Sequence, residues 1–384
     1  MIFRIRDTDC YIHLDYDEPK KDVFVAVITE VSRVGTVQEK TIFRIQTVHF
    51  VSLTTDKFDN LLSSGFAMNS NDPPDDVVRH PCQHLQKIFS TGSFYFSRDF
   101  DLTNSLQKRS TDAGAVGEVS MFEVADSHFW WNRHMLKDFL TIREKELSIE
   151  ERAGLDRSGV FVLAMQGFVG IQDFRLDSTS AKMIIISRLS CKRAGTRYNS
   201  RGISDDGHVA NFVETEFQLY TPLHTFSVLQ IRGSVPLFWE QTGIQFGHKV
   251  EIARGYESTF PAVQKHFAEL VERYGTVNVV DLLGQKETSN EYALTTEYKN
   301  HVQELKRRGV PVEYNSFDFH AMVKGNNFEN LGRIVEEVGR DMRQYGCFVV
   351  ENASGEKIAL QSGIFVCLFL LSRLTSITYS LPYR

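Results

Sequence analysis

Apolar and polar positions change their spacing along this chain, and the change divides it. The first third reads mostly as strands. Val23 to Ile28 is a continuous apolar run, Thr41 to Leu53 mixes apolar and polar residues near a two-residue period, and Gly92 to Phe100 is aromatic and strand-like. One helix interrupts them: Pro81 opens it, Leu85, Ile88 and Phe89 form its apolar stripe, and Gly92 stops it. Polar loops are predicted at Asn69 to Asp76 and Gln107 to Gly117. A helix follows near Trp130 to Leu140, with Trp131, Met135, Leu136 and Phe139 on one face. From about Phe161 onward the spacing predicts strands alternating with helices. Val263, Phe267, Leu270, Val271 and Tyr274 make a helical stripe closed by Gly275, and Val277 to Leu283 reads as a buried strand. Glu291 to Arg308 is a charged helix ended by Gly309. Leu331, Ile334, Val335, Val338 and Met342 mark a further helix ended by Gly346, before the strand Cys347 to Val350. The expected class is α/β (α+β overall), a β-rich domain over 1–125 followed by an α/β domain over 126–365 with some parallel pairing. Residues 366–384 form a separate tail.

Composition narrows the function. Hydrophobic residues make up 42% and charged residues 24%, the profile of an ordinary soluble globular protein. A net charge of -6 argues against a general nucleic-acid binder, though it allows a local basic groove. The five cysteines, Cys10, Cys82, Cys191, Cys347 and Cys367, are odd in number and form no Cys-x-x-Cys pair, so neither a zinc site nor a disulfide framework is expected. A reducing cytosolic setting fits, and the Asn352 sequon is expected to be unused. The start carries no signal-peptide core, and the apolar run Ile364 to Leu371 is too short to span a bilayer.

The most informative segment is Arg188 to Glu216, RLSCKRAGTRYNSRGISDDGHVANFVETE. It sets Lys192, Arg193, Arg197 and Arg201 between an apolar strand, Met183 to Ser187, and the turn Ser204 to Gly207. A strand at Val209 to Leu219 follows. Clustered arginines match phosphate oxygens through the guanidinium fork. The same residues also suit an ordinary solvated hairpin. Asp205, Asp206 and His208 are expected to make a turn rather than a metal site. Glu214 and Glu216 make one strand face acidic, either orienting the arginines or solvated. Trp239 is expected in the core.

This segment closely resembles the Sac phosphoinositide phosphatase domain, in its synaptojanin-like branch. IRGSVPLFWEQ (Ile231 to Gln241), VNVVDLLGQKE (Val277 to Glu287) and FDFHAMVKG (Phe317 to Gly325) agree, as do HPCQHLQKIFSTGSFYFSRDFDLT and HFWWN nearer the start. The resemblance runs from about residue 40 to 365. It implies a β-rich Sac N-terminal domain and then an incomplete α/β phosphatase domain. It also implies cysteine-dependent hydrolysis of phosphoinositide monophosphates, with bisphosphates as a further substrate class, on cytosolic membrane faces, without metal or cofactor. The implied partners are phosphoinositide headgroups, and the implied setting is cytoplasmic and peripheral to membranes. Arg193, Arg197, Arg232, Gln241, His320 and Lys324 are the expected substrate-binding residues.

The family's nucleophile lies in a loop close to RTNCxDCxDRT, behind a Gln-x-Gly-hydrophobic-Phe lead-in. Its backbone N–H groups wrap a phosphate and depress the cysteine pKa, while its arginine clamps two oxygens. The lead-in is present here as Gln361, Ser362, Gly363, Ile364 and Phe365, but the chain continues VCLFLLSRLTSITYSLPYR. Cys367 and Arg373 meet the five-residue count, yet bulky apolar residues between them would desolvate a thiolate. The expectation is therefore an inactive chain with no intact catalytic residue, and the alternative is a non-catalytic phosphoinositide-binding or protein-interaction fragment. Codons for Val366 and Cys367 can spell an intron donor, so the tail is expected to be read-through or a frameshift. Exposed apolar faces are expected on Val277 to Leu283 and Cys347 to Val350.

Overall fold

The structure, a computed structural model, describes residues 2–6, 23–56, 80–112, 120–195, 200–242, 249–323 and 330–368. It divides into two compact units: residues 1–172 with 184–188, and residues 173–183 with 189–384.

The first unit is built on an antiparallel sheet. Strand β1 (Ile2–Arg6) pairs with β2 (Val23–Val37), which forms a long hairpin with β3 (Lys40–Ser52). The hairpin turn places Gln38 and Glu39 at φ of 46° and 64°, the left-handed pair that a tight two-residue hairpin turn requires. The short strand β4 (Phe94–Phe96) joins β3 to β5 (Met165–Leu176), and β6 (Thr179–Leu189) follows beside β5. Among the described residues, five helices lie in the sequence between β3 and β5. They are α1 (Gln83–Phe89), α2 (Leu106–Asp112), α3 (Met121–Val124), α4 (Lys137–Lys145) and α5 (Ile149–Ser158). The core gathers Phe24, Phe50, Phe94, Phe96, Trp130 and Leu136. The helix expected from Trp130 begins only at Lys137, because Trp131 to Leu136 are held as turns. Asn132, fully buried, accepts from Trp130 Nε1 (3.0 Å) and Ala164 N (2.9 Å) and donates to Val162 O (2.8 Å). Its amide fixes this irregular backbone against Val162 to Ala164, the residues that lead into β5.

The second unit has the parallel pairing that the alternating pattern predicted. Strands run in the order β7 (Val213–Tyr220), β8 (His224–Gly233), β15 (Gly363–Leu368), β11 (Thr276–Asp281), β12 (Val312–Ser316). β15 is parallel to both β8 and β11, and β11 is parallel to β12. β13 (Phe348–Glu351) pairs antiparallel with the first half of β8 and with β14 (Lys357–Ala359). A separate hairpin joins β9 (Trp239–Thr242) and β10 (Lys249–Ile252). Helices α6 (Tyr256–Tyr274) and α7 (Tyr292–Arg307) bury Val263, Phe267, Leu270, Leu294, Tyr298 and Val302. On the other sheet face, Val338 of α9 (Leu331–Tyr345) packs with Val280, Leu282 and Phe317. The short α8 (Phe319–Met322) follows β12.

Two expectations are corrected here. Alternation of strands and helices starts only at α6, since the elements from β5 to β10 are all strands. β8 alternates in burial, but its buried face includes Thr225 and Ser227 while Val228 is exposed, so the period does not show in the hydrophobic pattern. Val277 to Leu283 is not left exposed: Val277, Val279, Val280, Leu282 and Leu283 are all buried. Phe348 of β13 is buried too, and Val349 and Val350 are half-buried.

Gly167, in β5, is required by close approach. A Cβ there would lie 1.8 Å from the backbone oxygen of Ser187. Gly167→Ala must push the strands apart, and it is expected to lower stability by roughly 3 kcal/mol in urea unfolding. A loss below about 0.5 kcal/mol would contradict this packing.

Candidate functional site

Ligand sites of parallel sheets gather at the carboxyl ends of the strands. In the second unit β8 ends at Arg232 and Gly233, β11 at Asp281 and β15 at Leu368. The segment after β8, Ser234 to Leu237, is held against the basic stretch that precedes β7. Gly202 N donates to Ser234 Oγ (2.8 Å), Ile203 N to Leu237 O (3.0 Å), and Ser234 N to Ala210 O (2.9 Å). Gly202 is needed there: its φ is +66°, and a Cβ would sit 2.2 Å from Leu237 O.

This packing brings together Arg193 and Gln241 through Arg201, a residue that was not among the expected binders. Arg193 Nη2 donates to Arg201 O (2.8 Å), and Arg201 Nη2 donates to Gln241 Oε1 (3.0 Å). The Arg201 guanidinium lies 5.6 Å from the centre of the Trp239 ring, and Trp239 is buried as expected. Arg193 Nε is buried and has no hydrogen-bond partner among the described residues. Burial pulls the Arg193 pKa below its usual value, opposed by the charge of Asp205. An orphaned guanidinium donor of this kind favours an anion.

Arg232 stands elsewhere. It is exposed on β8, opposite Val213 of β7 and Cys367 of β15. Cys367 shares its sheet face but packs into the cluster of Val280, Leu282, Phe317 and Val338. Burial pushes its thiol up to about 11. His320 lies in α8, whose N-cap Asp318 accepts from Ala321 N (2.9 Å). The His320 side chain lies outside the described residues, as do Arg197, Lys324 and Arg373.

The neighbouring acids have structural partners. Glu214 and Glu216 are buried, which corrects the solvated reading. Glu214 accepts from Tyr274 OH (2.6 Å), and Glu216 from Ser227 Oγ (2.7 Å). Asp205 pairs with Arg254 at 2.5 Å, while His208 Nδ1 faces Glu269 at 3.7 Å. Asp205 and His208 thus turn to different partners.

Asp281 was not anticipated. It is fully buried at the end of β11, accepting from Tyr314 OH (2.5 Å) and Leu283 N (2.9 Å). Burial raises its pKa, although the hydrogen bonds oppose the rise. It alternates with Val280 along the strand, so it faces away from Cys367 and holds the start of the following loop. An acid closing an apolar run, as in Val-Val-Asp-Leu-Leu, was the signal available in the sequence.

Comparison with known proteins follows the same elements. The SacI homology domain model matches residues 15–324. The chain is 35% identical over 374 residues to Inositol-1,4,5-trisphosphate 5-phosphatase 1 of Schizosaccharomyces pombe, covering 94% of this chain and 34% of that protein. It is 33% identical over 359 residues to Synaptojanin-1 of Rattus norvegicus, covering 92% and 20% respectively. It is 34% identical over 299 residues to Phosphoinositide phosphatase SAC8 of Arabidopsis thaliana, covering 77% and 47%. The chain therefore spans less than half the length of each of these relatives.

Because the folded state holds Asp281 with a raised pKa, it binds that proton more tightly than the unfolded chain. The group's contribution to stability is present at low pH and is lost as pH rises through the folded pKa. In denaturant melts between pH 4 and 7, the stability difference between wild type and Asp281→Asn is expected to shift against wild type as pH rises. A pH-independent difference would contradict the buried, proton-favouring site.

Proposed function

Since the chain belongs to the SacI homology domain family, we propose that it is the phosphoinositide-recognising part of a lipid phosphatase, and that as it stands it binds headgroups without cleaving them. Residues 1–125 are read as the Sac N-terminal domain and residues 126–365 as the catalytic domain. Arg193, Arg232 and Gln241, with Arg197, His320 and Lys324, are assigned to headgroup phosphates. Arg201 positions Gln241. The guanidinium groups offer paired donors to phosphate oxygens, and Gln241 offers an amide to phosphate or inositol hydroxyls. No metal enters this reading. The working surface is the cytosolic face of a membrane. Among the described residues no helix is long and apolar enough to cross one.

The observation that carries the non-catalytic part is the state of Cys367. A cysteine phosphatase needs a thiolate ringed by backbone N–H donors. Cys367 instead sits within strand β15, paired across to Arg232 and Val280, with its thiol among apolar side chains. With a pKa pushed up to about 11, only about one thiol in ten thousand is ionised at pH 7. Arg373 follows at the right count, but count alone supplies neither the anion hole nor the nucleophile.

Two measurements test the proposal. Phosphate release from vesicles containing phosphatidylinositol 4-phosphate is expected to stay at the buffer level for wild type and for Cys367→Ala alike. Release by wild type that Cys367→Ala abolishes would make Cys367 the nucleophile and overturn the reading. Co-sedimentation with the same vesicles is expected to weaken about tenfold in the double variant Arg193→Ala, Arg232→Ala, with a smaller loss in Arg193→Lys. Unchanged sedimentation would remove these arginines from the binding surface.

A further inference from the structure

A cleft of about 810 Å³ lies wholly within the first unit, apart from every residue assigned above to headgroups. Helix α5 turns one stripe into it: Ile149, Arg152, Ala153, Asp156 and Arg157, at helical spacing. The stripe is set firmly. Ser148 caps the helix with Glu151 in a reciprocal pair, and Gly159 ends it at a φ of 62°. The opposite walls come from the start of β3, from the residues after β4, and from α3 behind its cap Ser120.

The lining has an apolar floor and a charged rim. Phe43, Met121 and Phe122 are half-buried in the floor, and Ile149 is 84% exposed. Most charges there already have partners. Arg143 is buried, donating to Asp156 through Nε (2.9 Å) and Nη2 (2.7 Å) and to Glu123 through Nη2 (3.1 Å). Asp99 pairs with Lys40 at 3.2 Å, and Arg152 donates to the carbonyls of Leu147 (2.9 Å) and Glu144 (2.5 Å). Arg98 and Arg157 differ. Both are exposed, and neither guanidinium has an ion-pair or hydrogen-bond partner among the described residues. Gly159 passes 3.3 Å from Arg98 Cδ by its would-be Cβ, so the end of α5 and Arg98 are close neighbours.

The chemistry of the occupant follows. A polyphosphate could pair with Arg98 and Arg157 but would leave the apolar floor of Phe43, Met121 and Phe122 unused. A purely apolar ligand would cover two unpaired arginines and desolvate them without compensation. A short peptide with an apolar side chain beside carboxylates satisfies both parts, and the volume is that of a pocket for a few residues. We propose that this cleft is a docking site for a short acidic linear segment of a partner protein, its apolar side chain on Phe43, Met121 and Phe122 and its carboxylates on Arg98 and Arg157. The site does not depend on whether the chain cleaves lipid.

The test uses the full 384-residue protein. A phage-displayed random dodecapeptide library is selected on wild type, and the most enriched peptide is labelled with fluorescein for anisotropy titration. Enriched sequences are expected to pair Asp or Glu with Leu, Ile or Phe. Binding is expected to weaken at least about tenfold for the double variant Arg98→Glu, Arg157→Glu and for the single variant Ala153→Trp, which fills the cleft but keeps its charges. The melting temperature of each variant confirms that the fold is retained. Selection of peptides without acidic residues, or equal binding to wild type and both variants, overturns the proposal. So does displacement of the peptide by stoichiometric inositol hexakisphosphate, which would assign the cleft to a phosphate-rich headgroup instead.

Discussion

Strand β8 has one edge and two partners for it, and the second unit depends on how that edge is shared. β13 takes His224 to Ser227 and β15 takes Gln230 to Gly233, running in opposite directions. Between the two stretches lies Leu229, whose backbone would be orphaned in a buried sheet. The side chain of Gln361 satisfies it: Oε1 accepts from Leu229 N (2.8 Å), and Nε2 donates to Leu229 O (2.9 Å) and Gly363 O (2.9 Å). Gly363 follows because a Cβ there would strike the Tyr345 ring at 2.5 to 2.8 Å. The Gln-x-Gly pattern is thus the physical condition for β15 to enter between β8 and β11. All the parallel pairing in the middle of that sheet rests on its entry.

Polar side chains do comparable work in the first unit. Asp101 accepts from Thr103 N and Oγ1 (2.8 and 2.6 Å) and from Asn104 Nδ2 (2.6 Å). Arg188, fully buried, donates to Leu102 O (2.6 Å) and Asn104 O (3.0 Å). With Asn132, these residues give irregular backbone the hydrogen bonds that regular elements make for themselves. They occupy the stretches RDFDLT, HFWWN and the start of RLSCKR, which carried much of the family resemblance. A long motif match can therefore report backbone scaffolding as readily as chemistry.

Much of this fold was legible because apolar spacing dictates it. α7, α9 and β11 appear within a residue or two of their patterns, and α6 ends where its pattern does but starts seven residues before it, at Tyr256. The second half of β2 was not legible, since Thr29 to Thr36 is polar and its pairing with β3 comes from the turn at Gln38 and Glu39. Trp131 to Leu136 kept helical spacing yet folded as turns, because Asn132 overrides propensity locally. The candidate site was only half legible. Residue type pointed to Arg193, Arg232 and Gln241, but no one-dimensional pattern carries the link from Arg193 through Arg201 to Gln241, which arises when the segment after β8 folds back. Glu214 and Glu216 were left between orienting the arginines and being solvated for a similar reason: their partners Tyr274 and Ser227 come from other elements.

The shared edge of β8 also sets an order of events during synthesis. β8 is complete at residue 233 and β11 at residue 281, but the strand that lies between them ends at residue 368. Until that strand has left the ribosome, two apolar strands wait with open edges that pair readily with other chains. Closing the sheet then requires a contact spanning more than a hundred residues, the kind of loop closure that slows folding. Helices α6 and α7, already made, can shield one face of the waiting strands but not their edges. The middle of this sheet is thus the part of the molecule most exposed to chaperones and aggregation during its manufacture, although it is among the best buried once finished.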